Sequence, residues 1–331
     1  MGMGLNYKLN LKGMNKYSLV LGLTMLLGFM MLLSACGGNQ QKSGDGESTG
    51  GETVTITHTL GTVEVIKNPQ RVVVLDFSAL ENLDYLGIKP VAVPKTSMPT
   101  HLHKYKDDAS IVDVGSVVEV NLEKINEERR PDLIIMGNRL ADFYDQLVAI
   151  APVIYPTVVD AGDFMHAFEK NLDDLALLFD KQAEAEKAKA DIRSKVEEVE
   201  KRTATSDEKA LILLHNRGRF SAYGSGSRFG IVHDVLGVKE AAVGLDRHRH
   251  GNPVSSEFIQ KTNPDIIFIV DRSRVVDNEI TNKEEIENSL IKQTNASKNG
   301  KIYYLNPEMW YLAGGGITSV SVMIDEVAQA F

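Results

Sequence analysis

The stretch VNLEKINEERRPDLIIMGNR, residues 120–139, returns in altered form as VSSEFIQKTNPDIIFIVDR, residues 254–272. Both read V-x-x-E-x-I, then Pro-Asp, then an apolar run, then an arginine. Arg139 lies seven residues after Asp132, and Arg272 lies seven after Asp265. Glu123 precedes Pro131 by eight residues and Glu257 precedes Pro264 by seven, so the register slips by one. The pattern predicts a helix, a turn and a buried strand, once in each half of the chain. Repeated helix–strand units of this kind build α/β lobes. Ligands of such lobes sit at the carboxyl ends of the strands. If two lobes face each other, Arg139 and Arg272 look into one cleft from opposite sides. The plainer reading is that Pro-Asp is a common helix-to-strand turn and the arginine spacing is coincidence.

The flanking sequence extends the α/β plan. TVTITHTLGTVEV, residues 53–65, alternates as a hairpin does. RVVVLD (71–76) predicts a buried strand and SALENLDYLG (78–87) a short helix, followed by PVAVP, VDVG, a helix around 121–129, PDLIIMG (131–137) and APVIYP. In the second half, KALILLHN (209–216), PDIIFIVD (264–271) and KIYYLN (301–306) predict strands, while GIVHDVLGV (230–238) and SVSVMIDEVAQAF (319–331) predict helices. Between the halves, residues 164–202 are rich in Ala, Leu, Glu and Lys, and predict helix over nearly their whole length. The expected layout is an N-terminal lobe over 53–160, an interlobe helix over 161–204 and a C-terminal lobe over 205–331.

Ahead of the lobes, Lys8, Lys12 and Lys16 precede an uncharged run from Tyr17 to Ala35. The run is long enough to span a bilayer, and an uncleaved anchor helix is one reading. It ends, however, in Leu33-Ser34-Ala35-Cys36, which resembles a bacterial lipobox, and Cys36 is the only cysteine in the chain. Cleavage before Cys36 would remove residues 1–35 as a signal peptide and leave a lipid on that thiol, anchoring the chain without spanning the membrane. Residues 36–52 lack aliphatic side chains and predict a flexible tether. The formal charge of −9 becomes −12 once the three leader lysines are gone. That sign argues against nucleic acid as a partner. One cysteine excludes an intramolecular disulfide and a cysteine-based zinc cluster.

Several segments could carry chemistry. AYGSGSRFG (222–230) is a Gly/Ser-rich loop in which backbone N–H groups and Arg228 meet a helix start, an arrangement that favours an anion; as an isolated motif it is also an ordinary turn. EMWYLAGGG (308–316) offers Tyr311 as a phenolate ligand or hydrogen-bond donor, or an aromatic pair that only caps the core. The pairs His101/His103 and His248/His250 fall in loops. Arg247 and Arg249 interleave with the second pair, repel a bare cation and suit a large anion. Glu123 and Glu257 stand near predicted helix starts, either as simple N-terminal electrostatics or as one docking carboxylate per lobe. No arrangement stands out as catalytic.

Taken together, the lipobox, NPQRVVVLDFSALENLDYLG, PDLIIMGNR, the central helix, SAYGSGSRFGIVHDVLGV, HGNPVSSEFIQKTNPDIIFIVDR and YLNPEMWYLAGGG resemble the substrate-binding lipoproteins of iron-siderophore ABC importers. The likeness is in particular to the ferric catecholate (petrobactin-type) binders of Gram-positive bacteria, and it covers residues 53–331. It implies a class III periplasmic-binding-protein, or chelatase-like, α/β fold of two lobes joined by a single long helix. It implies no enzyme activity and no intrinsic cofactor; the ligand is a ferric siderophore. Such a complex carries a charge of about −3, and its catecholate oxygens and rings suit arginine. By position the gripping residues are Arg139, Arg228 and Arg272. His250 and Tyr311 would complete the metal shell of an incompletely chelated iron. The DRHRH loop is more basic than the family pattern, which makes His248 a competing ligand. Glu123 and Glu257 would dock on an ABC permease working with its ATPase subunits. The resemblance places the chain as a monomer on the outer face of the cell membrane, held by lipid on Cys36. Two rival readings remain at this point. One is haem, with Tyr311 and a His or Met as axial ligands. The other is a surface-anchored metal-dependent hydrolase using His101, His103, His248 and His250.

Overall fold

The computed structural model describes residues 51–331 except 159–162 and 248–249, together with the main chain but not the side chains of 128 and 129. The leader, Cys36, most of the tether, the expected lobe boundary at 160/161, His248 and Arg249 lie outside the described residues. Among the described residues no helix is long and apolar enough to cross a membrane.

An antiparallel hairpin, β1 (Thr53–His58) with β2 (Gly61–Ile66), opens the described chain. It leads into a five-stranded parallel sheet made of β3 (Val72–Val74), β4 (Ala92–Val93), β5 (Val112–Asp113), β6 (Leu133–Ile135) and β7 (Val153–Ile154), in the order β5-β4-β3-β6-β7. Every residue of β3 and β6 is buried, as expected of parallel strands covered on both faces. The second sheet contains β8 (Lys209–Asn216), β9 (Arg219–Tyr223), β10 (Lys239–Glu240), β11 (Asn252–Val254), β12 (Ile266–Asp271) and β13 (Ile302–Leu305). Its main path is β11-β9-β8-β12-β13, and β10 pairs with β8. The strands β8, β12 and β13 are parallel, whereas β9 runs antiparallel to β8 and β11.

The Pro-Asp repeat has a structural reason. Asp132 Oδ2 accepts from the main-chain N–H of Arg71, at 2.9 Å, where the chain enters β3. Asp265 Oδ2 accepts from Lys209 N, at 3.1 Å, where it enters β8. In each half the aspartate ahead of one central strand pins the start of its neighbour, β6 to β3 and β12 to β8. These two pairs are also where the strand order reverses direction, and the crevice at such a switch point is where open α/β sheets bind ligands.

The central helical region departs from the sequence expectation in one respect. Helix α2 (Phe164–Phe179) ends at Asp180, which takes a left-handed conformation (φ 55°), and α3 (Gln182–Thr203) begins anew. Asp180 holds Lys67 at 2.7 Å and Asn68 Nδ2 at 2.7 Å, and these contacts fix the break. Helix α3 alone is the strut, about 33 Å long at 1.5 Å per residue. It leaves the first lobe at the Asp180 contacts and reaches the second where Thr203 Oγ1 donates to the Leu236 carbonyl, at 2.7 Å. Ala185, Ala188, Ile192, Val196 and Val199 form its buried stripe at helical spacing. Most of the rest of α3 is charged, as the sequence requires.

A seam joins the lobes. Helix α1 (Phe77–Tyr85) caps the start of the last helix, α5 (Ile317–Ala328; α4 is Ser256–Thr262). Asn82 Oδ1 accepts from Ile317 N at 3.0 Å, and Glu81 Oε2 accepts from Ser319 N and Oγ, both at 2.8 Å. The other Glu81 oxygen is 2.7 Å from His101 Nε2. Glu81 is only 1% exposed, and both of its carboxyl oxygens find partners inside the protein. A β-carbon on Gly316 would stand 2.3 Å from Glu81 Oε2, so only glycine lets α1 and α5 approach this closely.

Candidate functional site

Arg139, Arg228 and Arg272 converge on one residue. Their guanidinium carbons lie 5.6, 4.7 and 5.5 Å from the centroid of the Tyr311 ring. The elements explain the convergence. Arg139 follows β6, and Arg272 is the residue after β12, both at carboxyl ends beside the switch points. Arg228 comes from the loop after β9, and Tyr311 from the helical turn Glu308–Ala313 after β13. Arg272 Nε donates to the Tyr311 hydroxyl at 2.8 Å and its Nη1 to Asn216 Oδ1 at 3.0 Å. Arg228 Nη2 donates to the Tyr311 carbonyl at 3.1 Å. Arg139 bonds the same carbonyl and donates to that of Leu312 at 3.3 Å.

Each guanidinium is within 5.6 Å of one centroid, so no two are more than about 11 Å apart. At an effective dielectric of about 20, each pair repels by at least ~1.5 kcal/mol. The Tyr311 ring face offsets part of that through cation–π attraction. An anion seated between the arginines offsets far more. Burial pushes the Tyr311 phenol up, but the Arg272 hydrogen bond and the charges of Arg272, Arg228 and Arg139 outweigh it, so it titrates below the ordinary phenol range. Behind Arg139, burial pushes the Asp76 carboxyl up while the Arg139 charge pulls it back.

The other sequence candidates fall as follows. The amides of the Gly/Ser loop are not open to an anion: Ser225 N donates to Glu240 at 2.7 Å and Gly226 N to Asp234 at 2.6 Å. That expectation is corrected, because carboxylates of the same lobe satisfy the loop and only Arg228 faces the cluster. Arg247 lies over Gly226, where a β-carbon would meet its Nε at 2.5 Å. His250 is exposed in a turn and makes no hydrogen bond among the described residues. Its neighbour Gly251 packs on Tyr223. His101 is bound to Glu81, and His103 Nε2 lies 3.1 Å from the Met98 carbonyl, so the first pair is engaged within the lobe seam. No cluster of three or more metal-ligating His, Cys, Asp or Glu side chains occurs among the described residues. Glu123 and Glu257 are exposed and equivalent: each stands two residues after a capping side chain, Asn121 on Lys124 N and Ser255 on Phe258 N. The Ser255 hydrogen bond holds the Glu257 carboxyl below its ordinary range.

Sequence reasoning passed over four contributors. Asp76 and Asn216 close the carboxyl ends of β3 and β8, the partner strands of those bearing Arg139 and Arg272, and the same strand-end argument would have found them. Ser78 donates to the Ala313 carbonyl, and Glu308 accepts from Thr100 N at 2.9 Å and Oγ1 at 2.8 Å; both tether the Tyr311 segment to the first lobe. No local pattern marks these two.

The model of the periplasmic binding protein family matches residues 72–309. The chain is 39% identical to the petrobactin-binding protein YclQ of Bacillus subtilis, over 90% of this chain and 94% of that one. It is 38% identical to the ferric-anguibactin-binding protein FatB of Vibrio anguillarum, over 84% and 87%. The crystal structure of YclQ superposes with a TM-score of 0.81 at 37% identity, covering 84% of this chain and 98% of that one. The periplasmic catecholate-siderophore binding protein VctP of Vibrio cholerae superposes with a TM-score of 0.79 at 32% identity, covering 83% and 99%.

Proposed function

The chain belongs to the periplasmic binding protein family, and from that premise we propose that it captures a ferric siderophore of catecholate type between its lobes for an ABC importer. Its fold and relatives are those of binding proteins, not enzymes. The observation that carries the reading is the convergence of Arg139, Arg228 and Arg272 on Tyr311. Three guanidiniums from both lobes around one aromatic ring suit a compact trianion with aromatic faces and charged oxygens. Relatives named for petrobactin and ferric anguibactin support the same ligand class.

In this reading the ligand displaces the carbonyls of Tyr311 and Leu312 from the arginines. The lowered Tyr311 phenol, with His250 at the rim, completes the shell of an iron that the siderophore leaves open. Lipid on Cys36 holds the protein at the outer face of the cell membrane. Glu123 and Glu257 meet the permease, which works with its ATPase subunits, and the protein acts as a monomer. Trp310 is the only tryptophan and adjoins Tyr311, so its emission reports the site. Titration with ferric petrobactin is expected to quench it with sub-micromolar affinity. Arg272→Ala is expected to weaken binding at least about tenfold, as loss of a charge-assisted hydrogen bond does. Unquenched emission in the wild type sinks the proposal.

A further inference from the structure

Tyr223, the last residue of β9, carries a hydroxyl that is buried and has no hydrogen-bond partner among the described residues. The residue is 1% exposed. Buried hydroxyls are ordinarily paired, and an unpaired one costs stability, so this one requires an account. Its surroundings supply one. The ring packs on Phe229 with centroids 4.7 Å apart, and Phe229 in turn meets Trp310 at 5.9 Å. The hydroxyl-bearing edge lies under the main chain of Gly251, where a β-carbon would stand 2.6 Å from Cζ and Cε2. The Arg228 guanidinium carbon stands 5.0 Å from the Phe229 ring centroid and 4.7 Å from that of Tyr311, which puts the Tyr223–Phe229 pair beside the arginine cluster.

We propose that Tyr223 is a further ligand-binding residue, whose hydroxyl donates a hydrogen bond to an oxygen of the anion held by the three arginines. The inference rests on the siderophore reading and adds a neutral donor to it. Arg139, Arg228 and Arg272 already bond oxygens of the chain in this structure. The buried Tyr223 hydroxyl has no partner among the described residues, and an acceptor brought by the ligand completes it. A phenol holds its proton at neutral pH, and burial pushes that of Tyr223 up further, to about 12, so it is fit to donate.

The test is Tyr223→Phe, read by apo melting temperature and by ferric petrobactin titration of Trp310 emission. The hydroxyl is unpaired without ligand, so the variant is expected to melt no lower than wild type. Its affinity is expected to fall about fivefold or more, the size of one lost hydrogen bond. Equal affinity in the two proteins overturns the inference while leaving the siderophore reading intact. A lower apo melting temperature also overturns it, because the hydroxyl then has a partner in the free protein. No binding by the wild type defeats the siderophore reading itself.

Discussion

At Gly251 the backbone and the Tyr223 ring constrain each other. Its φ of +69° lies in the left-handed region, and the Tyr223 ring fills the space a side chain would take. Alanine there incurs the left-handed penalty and overpacks the ring, together about 2–5 kcal/mol. Gly251→Ala is therefore expected to lower the denaturant midpoint markedly, with a further loss of ligand affinity through the displaced Tyr223. An unchanged midpoint would show that the turn is held by other contacts. At this scale the sequence was informative where charge and strand ends coincide. The repeated Pro-Asp strand marks Arg139 and Arg272, and the Gly/Ser loop marks Arg228, as the arginines that converge on Tyr311. Tyr223 was not, because an orphaned hydroxyl exists only once Gly251, 28 positions on, has folded over it.

Helices α1 and α5 show how an element can be held from a distance. Asn82 sits on α1 yet satisfies the Ile317 amide at the start of α5. Both groups are buried, so Asn82→Ala strands an amide and is expected to cost about 1–3 kcal/mol in urea unfolding; a loss below a few tenths would mean that water replaces the carbonyl. Where an expectation for an individual element failed, the reason is physical. The continuous apolar run of β8 marks its bounds in the sequence. Strand β9 was missed because its hairpin turns on Arg217 and Gly218, both at positive φ (48° and 74°), and arginine is not a usual signal for that turn. The helical composition across 164–202 hid the break at Asp180, which depends on Lys67 and Asn68 more than a hundred residues earlier.

For the molecule as a whole, acid is a shared threat to both lobes. Burial holds the His58 and His233 imidazoles below the ordinary range, in the first and second lobe respectively. The unfolded chain then binds more protons than the folded one once pH falls below the ordinary imidazole value of about 6.5. Stability is complete above that value and is lost progressively beneath it, down to the lowered folded values. Melting temperature is expected to decline from pH 7 to pH 5, and less steeply in His233→Gln; a flat profile over that range would contradict the linkage. A carrier must also let go. Arg139 and Arg228 share the carbonyl of Tyr311, so under the proposed reading a departing siderophore leaves these two guanidiniums an oxygen to return to. On that proposal the polypeptide holds a built-in understudy for its passenger, and handover proceeds as an exchange of partners, one arginine at a time.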